Sequence, residues 1–153
     1  MSLVSAVLLA AVVAVLAFVI PAQSDQQHSA QEKSAERALA MLALPAPFTT
    51  QDDRGKRVQI CVNSPVERCF VAPGDPRDNV AAVGDALARG SSRVSSRCQV
   101  SSPLPNSPAS CRVTALLRGG GSLVADLFAR PAQPERPLAT RRYSGSYVQL
   151  RVL

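Results

Sequence analysis

Residues 111–130 read CRVTALLRGGGSLVADLFAR. Two runs rich in apolar and β-branched residues flank three glycines, which predicts strands over 112–118 and 122–130 joined by a tight turn at Gly119-Gly120-Gly121. The glycines match neither G-x-G-x-x-G nor the P-loop pattern, and they sit between strands instead of opening a helix, so they read as a turn and not as a phosphate cradle. A hairpin of this kind commits the surrounding chain to an antiparallel sheet.

Working outward, residues 93–100 and 146–153 read as further strands, with Val148, Leu150 and Val152 sharing a face. Upstream, Val58, Ile60 and Val62 alternate with Arg57, Gln59 and Cys61, which predicts a strand over 56–62. Asn63-Ser64-Pro65 turns the chain and 68–72 returns as another strand. Between 75 and 90 the signals are helical. Asp75 can cap, Pro76 suits the first position, Asp78 places negative charge in the first turn, and Gly90 suits the stop. Its inward face is expected at Val80, Val83 and Leu87. A second helix is expected over 25–44, with Ala35, Ala38, Leu39 and Leu42 on one face and Leu44-Pro45-Ala46-Pro47 as its end. This order predicts an α+β fold: an N-terminal transmembrane helix, then a small domain with an antiparallel sheet packed by one or two helices.

The chain has 153 residues, 46% of them apolar but only 4% aromatic, with no Trp and a net charge of +6. Eighteen of the first 20 residues are apolar, the exceptions being Ser2 and Ser5, and every charged residue lies beyond position 24. The run 3–20 is just long enough to span a bilayer core. Nothing basic precedes it and it exceeds the usual signal-peptide core, so an uncleaved anchor is favoured over a cleaved signal peptide. The organisation is read as an anchor over 1–21, a juxtamembrane helix and linker over 22–47, and a domain over 48–153. Once the leader is set apart, the apolar share of the rest is lean for a core, and the composition speaks against nucleotide-binding folds, long coiled coils and multi-span transporters.

All four cysteines (Cys61, Cys69, Cys98, Cys111) lie in the last of these segments. An even count behind an export signal predicts disulfides and a compartment outside the reducing cytosol. Strand parity orders the pairings. Cys61 and Cys69 share faces with polar neighbours, whereas Cys98 has the parity of Val94 and Val100, and Cys111 that of Val113, Ala115 and Leu117. Opposite faces cannot easily be bridged, so Cys61–Cys69 and Cys98–Cys111 are predicted, each closing a hairpin.

No catalytic set emerges. The single histidine, His28, falls in the polar stretch after the leader, away from any expected nucleophile. The cysteines lack the close knuckle spacing of a zinc site. Asp52-Asp53 and the Asp75/Asp78 pair read as a turn and a helix cap, and Lys56 has no S-x-x-K spacing around it. Catalytic residues, metal and cofactors are therefore not expected. Half of the net charge lies in residues 131–153, where Arg136, Arg141 and Arg142 adjoin Tyr143 and Tyr147. The tail reads first as a solvated linker and edge strand. Its second reading is a contact for anionic lipid headgroups or wall polymers, not for nucleic acid.

The junction Val19-Ile20-Pro21-Ala22-Gln23-Ser24-Asp25 resembles that of the N-terminal helix in type IV pilins and pseudopilins. The resemblance implies a subunit whose helix packs against copies of itself. No Gly-Phe-type processing site precedes the run, and Ser5 stands where that family's glutamate is expected. The sequence thus leads to a membrane-anchored extracytoplasmic accessory or interaction domain of the cell envelope, partnered by the membrane through 3–20 and by an envelope protein or anionic polymer. A pilin-like subunit and a secreted small protein are the alternatives.

Overall fold

A computed structural model describes residues 29–50, 64–100, 107–132 and 142–153. The expected leader span at 3–20, His28, the strand at 56–62, Cys61, Asp52-Asp53, Lys56, Arg136 and Arg141 lie outside the described residues. Among the described residues no helix is long and apolar enough to cross a membrane.

Two helices and five strands are described: α1 over 29–41, β1 (Glu67–Ala72), α2 (Pro76–Ala88), β2 (Ser91–Val100), β3 (Ala109–Leu117), β4 (Ser122–Pro131) and β5 (Tyr143–Val152). The strands form one sheet in the order β1-β5-β4-β3-β2, antiparallel throughout, with both helices on one face. β2 to β5 form a meander that brings β5 back beside β1. The two edge strands therefore run in the same direction, and α2 carries the chain from one edge to the other across the sheet.

The hairpin at the centre of the sequence forms as its residues dictate. Leu117 N donates to Gly121 O at 3.1 Å and Gly120 N to Leu117 O at 3.2 Å, and Gly120 and Gly121 adopt φ of +89° and +77°. The glycines have a second role that parity alone does not show, because α1 crosses directly over them. A Cβ on Gly121 would meet Gln31 O at 2.8 Å and Ala35 Cβ at 3.1 Å. The turn must therefore stay small for α1 to approach.

The inner face is apolar in the expected register. Val113, Ala115, Leu123, Ala125, Leu127, Val148 and Leu150 are essentially inaccessible, and Ala35 and Leu39 of α1 join them. Burying a leucine fully stabilises by about 2 kcal/mol, so these side chains carry the small core. α2 is closed at its start as predicted, by a capping box in which Asp75 Oδ1 accepts from Arg77 N at 2.9 Å and Asp75 N donates to Asp78 Oδ2 at 3.0 Å. Its buried stripe is Pro76, Asn79, Val83, Ala86 and Leu87, and Val80 is only half-buried. Asn79, and not Val80, takes the inward position in the first turns of the helix. Its Nδ2 donates to Pro73 O (2.8 Å) and Ser146 Oγ (3.1 Å), and Ser146 Oγ donates to Gly74 O at 2.7 Å. That network fastens the first turn of α2 to β5.

Arg77 beside Asp75 holds the Asp75 carboxyl below its ordinary value of 3.8, chiefly through the side-chain hydrogen bond. The folded state thus favours the charged carboxylate, and its contribution is fully present well above 3.8. It is lost as the pH falls through the lower folded-state value. Urea unfolding across this acid range is expected to show a pH slope that Asp75→Ala reduces, and an unchanged slope would assign it to other groups.

Helix α1 ends at residue 41, three residues before the predicted end at Leu44. Arg68 caps that end: its Nη1 donates to Leu39 O (3.1 Å), Ala40 O (3.3 Å) and Leu42 O (2.8 Å). A guanidinium at a helix C-terminus satisfies orphan carbonyls and meets the negative end of the dipole. Arg68 sits on the inner face of β1, opposite Leu150, and lies over the Phe70 ring at 5.4 Å.

Cys98 and Cys111 are paired directly across β2 and β3 and bonded, as parity predicts. Parity correctly places Cys98 on the inner face but not in the core. β2 is an edge strand, and eight of its ten residues, Cys98 among them, are exposed, whereas Cys111 is buried. Cys69 faces outward, as expected, and is disulfide-bonded; the Cys61 half of that pairing lies outside the described residues.

Candidate outer-face groove

The face of the sheet turned away from the helices is polar where the inner face is apolar. Its side chains fall into rows that cross all five strands. The central row, read through the register, is Arg97–Arg112–Asp126–Gln149–Cys69. One adjoining row begins Ser95–Thr114–Val124–Arg151, and the other begins Gln99–Ser110–Phe128. Between β2, β3 and β4 these rows enclose a groove of about 510 Å³, lined among others by Arg97, Gln99, Ser110, Arg112, Asp126 and Phe128.

Asp126 is the hub. Its side chain is only 6% exposed, and its two oxygens accept from separate guanidiniums: Oδ1 from Arg112 Nε and Oδ2 from Arg151 Nη2, both at 2.6 Å. The bond to Asp126 holds the Arg112 guanidinium above its ordinary pKa. With each oxygen bonded to a different arginine, Asp126 ties the guanidiniums of β3 and β5 together. Arg151 Nε is buried without a hydrogen bond to a described residue. Further along the same face, Gln149 Nε2 donates to Glu67 Oε1 in β1.

Arg97 differs from its neighbours. It is exposed, directly opposite Arg112, and makes no hydrogen bond or ion pair with any described residue. Two guanidiniums facing each other across adjacent strands repel. Serine and threonine hydroxyls flank them, and Phe128, 41% exposed, stands at one end beside Ser110. What the arrangement can do chemically is hold an anion with a small apolar part.

The residues singled out from the sequence do not converge here. Arg142 lies at the start of β5, exposed, with its backbone O accepting from Ala132 N at 2.8 Å. Arg136 and Arg141 lie outside the described residues. Asp75 and Asp78 are a helix cap, as expected. Among the described residues no group of His, Cys, Asp and Glu side chains could hold a metal ion. The sequence did carry one signal for the groove: Asp126 is the only charge between Gly121 and Ala129 in an otherwise apolar strand. A lone carboxylate there demands a cation on the neighbouring strand.

No family model matches the chain, and no curated protein or solved structure matches it either.

Proposed function

We propose that this chain is a membrane-anchored domain of the cell envelope that faces out of the cytosol and acts by binding, not by catalysis. The observation that carries the reading is the Cys98–Cys111 disulfide. One of its sulfurs belongs to an exposed edge-strand residue. In a reducing cytosol an accessible bond of this kind would be exchanged by the thiol pool, so its place in the fold supports an oxidising compartment. It also adds about 2 kcal/mol to a lean core by closing a short loop. The apolar run 3–20 supports the anchor, and the polar groove, whose one carboxylate is committed to two arginines, supports binding over chemistry.

The test is fractionation of cells expressing the full chain. The protein is expected in the membrane pellet after alkaline extraction, and its thiols are expected to resist alkylation until a reductant is added. Recovery in the medium would replace the anchor with secretion, and prompt alkylation without reductant would place the domain in the cytosol.

A further inference from the structure

We infer that the outer-face groove is a binding site for a small amphipathic oxyanion, its phosphate or carboxylate group held between Arg97 and Arg112 and its apolar part set against Phe128. The inference deepens the binding-domain reading and rests on it, but not on the anchor, which the fractionation reads separately.

The sheet sets two like charges against each other. Arg97 and Arg112 are register partners, so their Cβ atoms lie about 5 Å apart, and like charges in that position destabilise a sheet. Asp126 does not resolve the conflict, because it takes only Nε of Arg112 and gives its other oxygen to Arg151. Of the three guanidiniums on this face, Arg112 and Arg151 share Asp126 and Arg151 also faces Glu67 across β5 and β1, whereas Arg97 has no carboxylate partner among the described residues. Neither Arg97 nor the terminal nitrogens of Arg112 have a hydrogen-bond partner among the described residues. An oxyanion between the two forks would turn the repulsion into paired, charge-assisted hydrogen bonds, a geometry that suits guanidinium better than ammonium.

The surroundings fit the same ligand. Ser95 and Thr114 lie in the row on one side of the arginine pair, and Gln99 and Ser110 in the row on the other. All four are neutral groups that can complete the oxygen's hydrogen bonds without cancelling its charge. Phe128 is the one large apolar side chain in the lining, exposed where a purely ionic site would have no use for it. A volume of about 510 Å³ is that of a small-molecule site. Asp126 holds Arg112 at the groove floor, so one fork of the clamp is set before a ligand arrives.

The experiment uses the full chain in neutral-detergent micelles, with binding read by titration calorimetry. One arm titrates phenyl phosphate, a soluble oxyanion with an aromatic part. The other mixes phosphatidylglycerol into the micelles, offering the same phosphate chemistry as a lipid headgroup. Saturable binding is expected in one arm, which also identifies the source. Arg97→Ala should weaken it at least about tenfold, the loss of one charge-assisted clamp. Because Arg97 has no described partner, the unliganded variant should melt no earlier than the parent chain. The inference is overturned if neither probe binds saturably or if Arg97→Ala binds as the parent does. Earlier melting of the unliganded variant would overturn it too, by giving Arg97 a structural partner instead of a ligand. Phe128→Ser offers a second reading in the soluble arm: it should weaken phenyl phosphate more than inorganic phosphate, and equal effects on both would remove the apolar part of the site.

Discussion

Replacing Asp126 with asparagine is expected to lower the unfolding free energy by about 3 kcal/mol, the low end of what breaking a buried ion pair costs. The side chain is nearly inaccessible and accepts from two arginines on its two flanking strands, β3 and β5. An amide keeps the shape but not the charge. Its oxygen can still accept from one guanidinium, while its NH2 group points donors at the other. Arg112 and Arg151 are 59% and 41% exposed, so water can recover part of what they lose, which keeps the cost at the low end. Urea unfolding of the single variants and of Arg112→Met with Asp126→Asn would measure the coupling. If the aspartate acts through Arg112, the double variant should lose clearly less than the sum of the two singles. A loss below about 1 kcal/mol for Asp126→Asn would show that the carboxylate is solvated and the hub unimportant.

Asp126 also shows where sequence reasoning stops. Alternation around Gly119-Gly120-Gly121 was enough to predict β3 and β4, because side-chain parity is local and the turn glycines fix the pairing. Parity likewise found the Cys98–Cys111 pair. The third member of the hub, Arg151, lies beyond the connection between β4 and β5, whose register no local signal sets. Exposure failed for a related reason. Alternation states which face a residue takes but not whether anything covers that face, so Cys98 is on the inner face, as parity predicts, and still exposed in an edge strand.

The place of β1 beside β5 was equally hidden, because Glu67 and its register partner Arg151 stand far apart in sequence, with α2 and three strands between them, and no local signal links them. The polar groove was invisible for a further reason. Its residues are ordinary serines and arginines on the solvent side of each strand, and only the assembled register sets Arg97 against Arg112.

The docking of α1 gives the second large effect. Arg68→Met is expected to cost about 2 kcal/mol, because it removes a charged donor from the carbonyls of Leu39, Ala40 and Leu42. Gly121→Ala is expected to cost a similar amount, about 2 kcal/mol, since a Cβ at φ +77° is strained and would also press on Gln31 O. The two sites lie at opposite ends of α1 and share no contact, so ordinary additivity would give about 4 kcal/mol for the pair. A smaller value is expected, about 3 kcal/mol, if each change acts by loosening the same helix, for a helix already displaced at one end has less to lose at the other. Ala35 and Leu39, fully buried between those ends, make the helix a single lever. Hydrogen exchange supplies the independent check. In either single variant, amides across α1 should lose protection together while those of β3 and β4 hold. If protection fell only at the mutated end, α1 would be two separate contacts and the two costs should add in full.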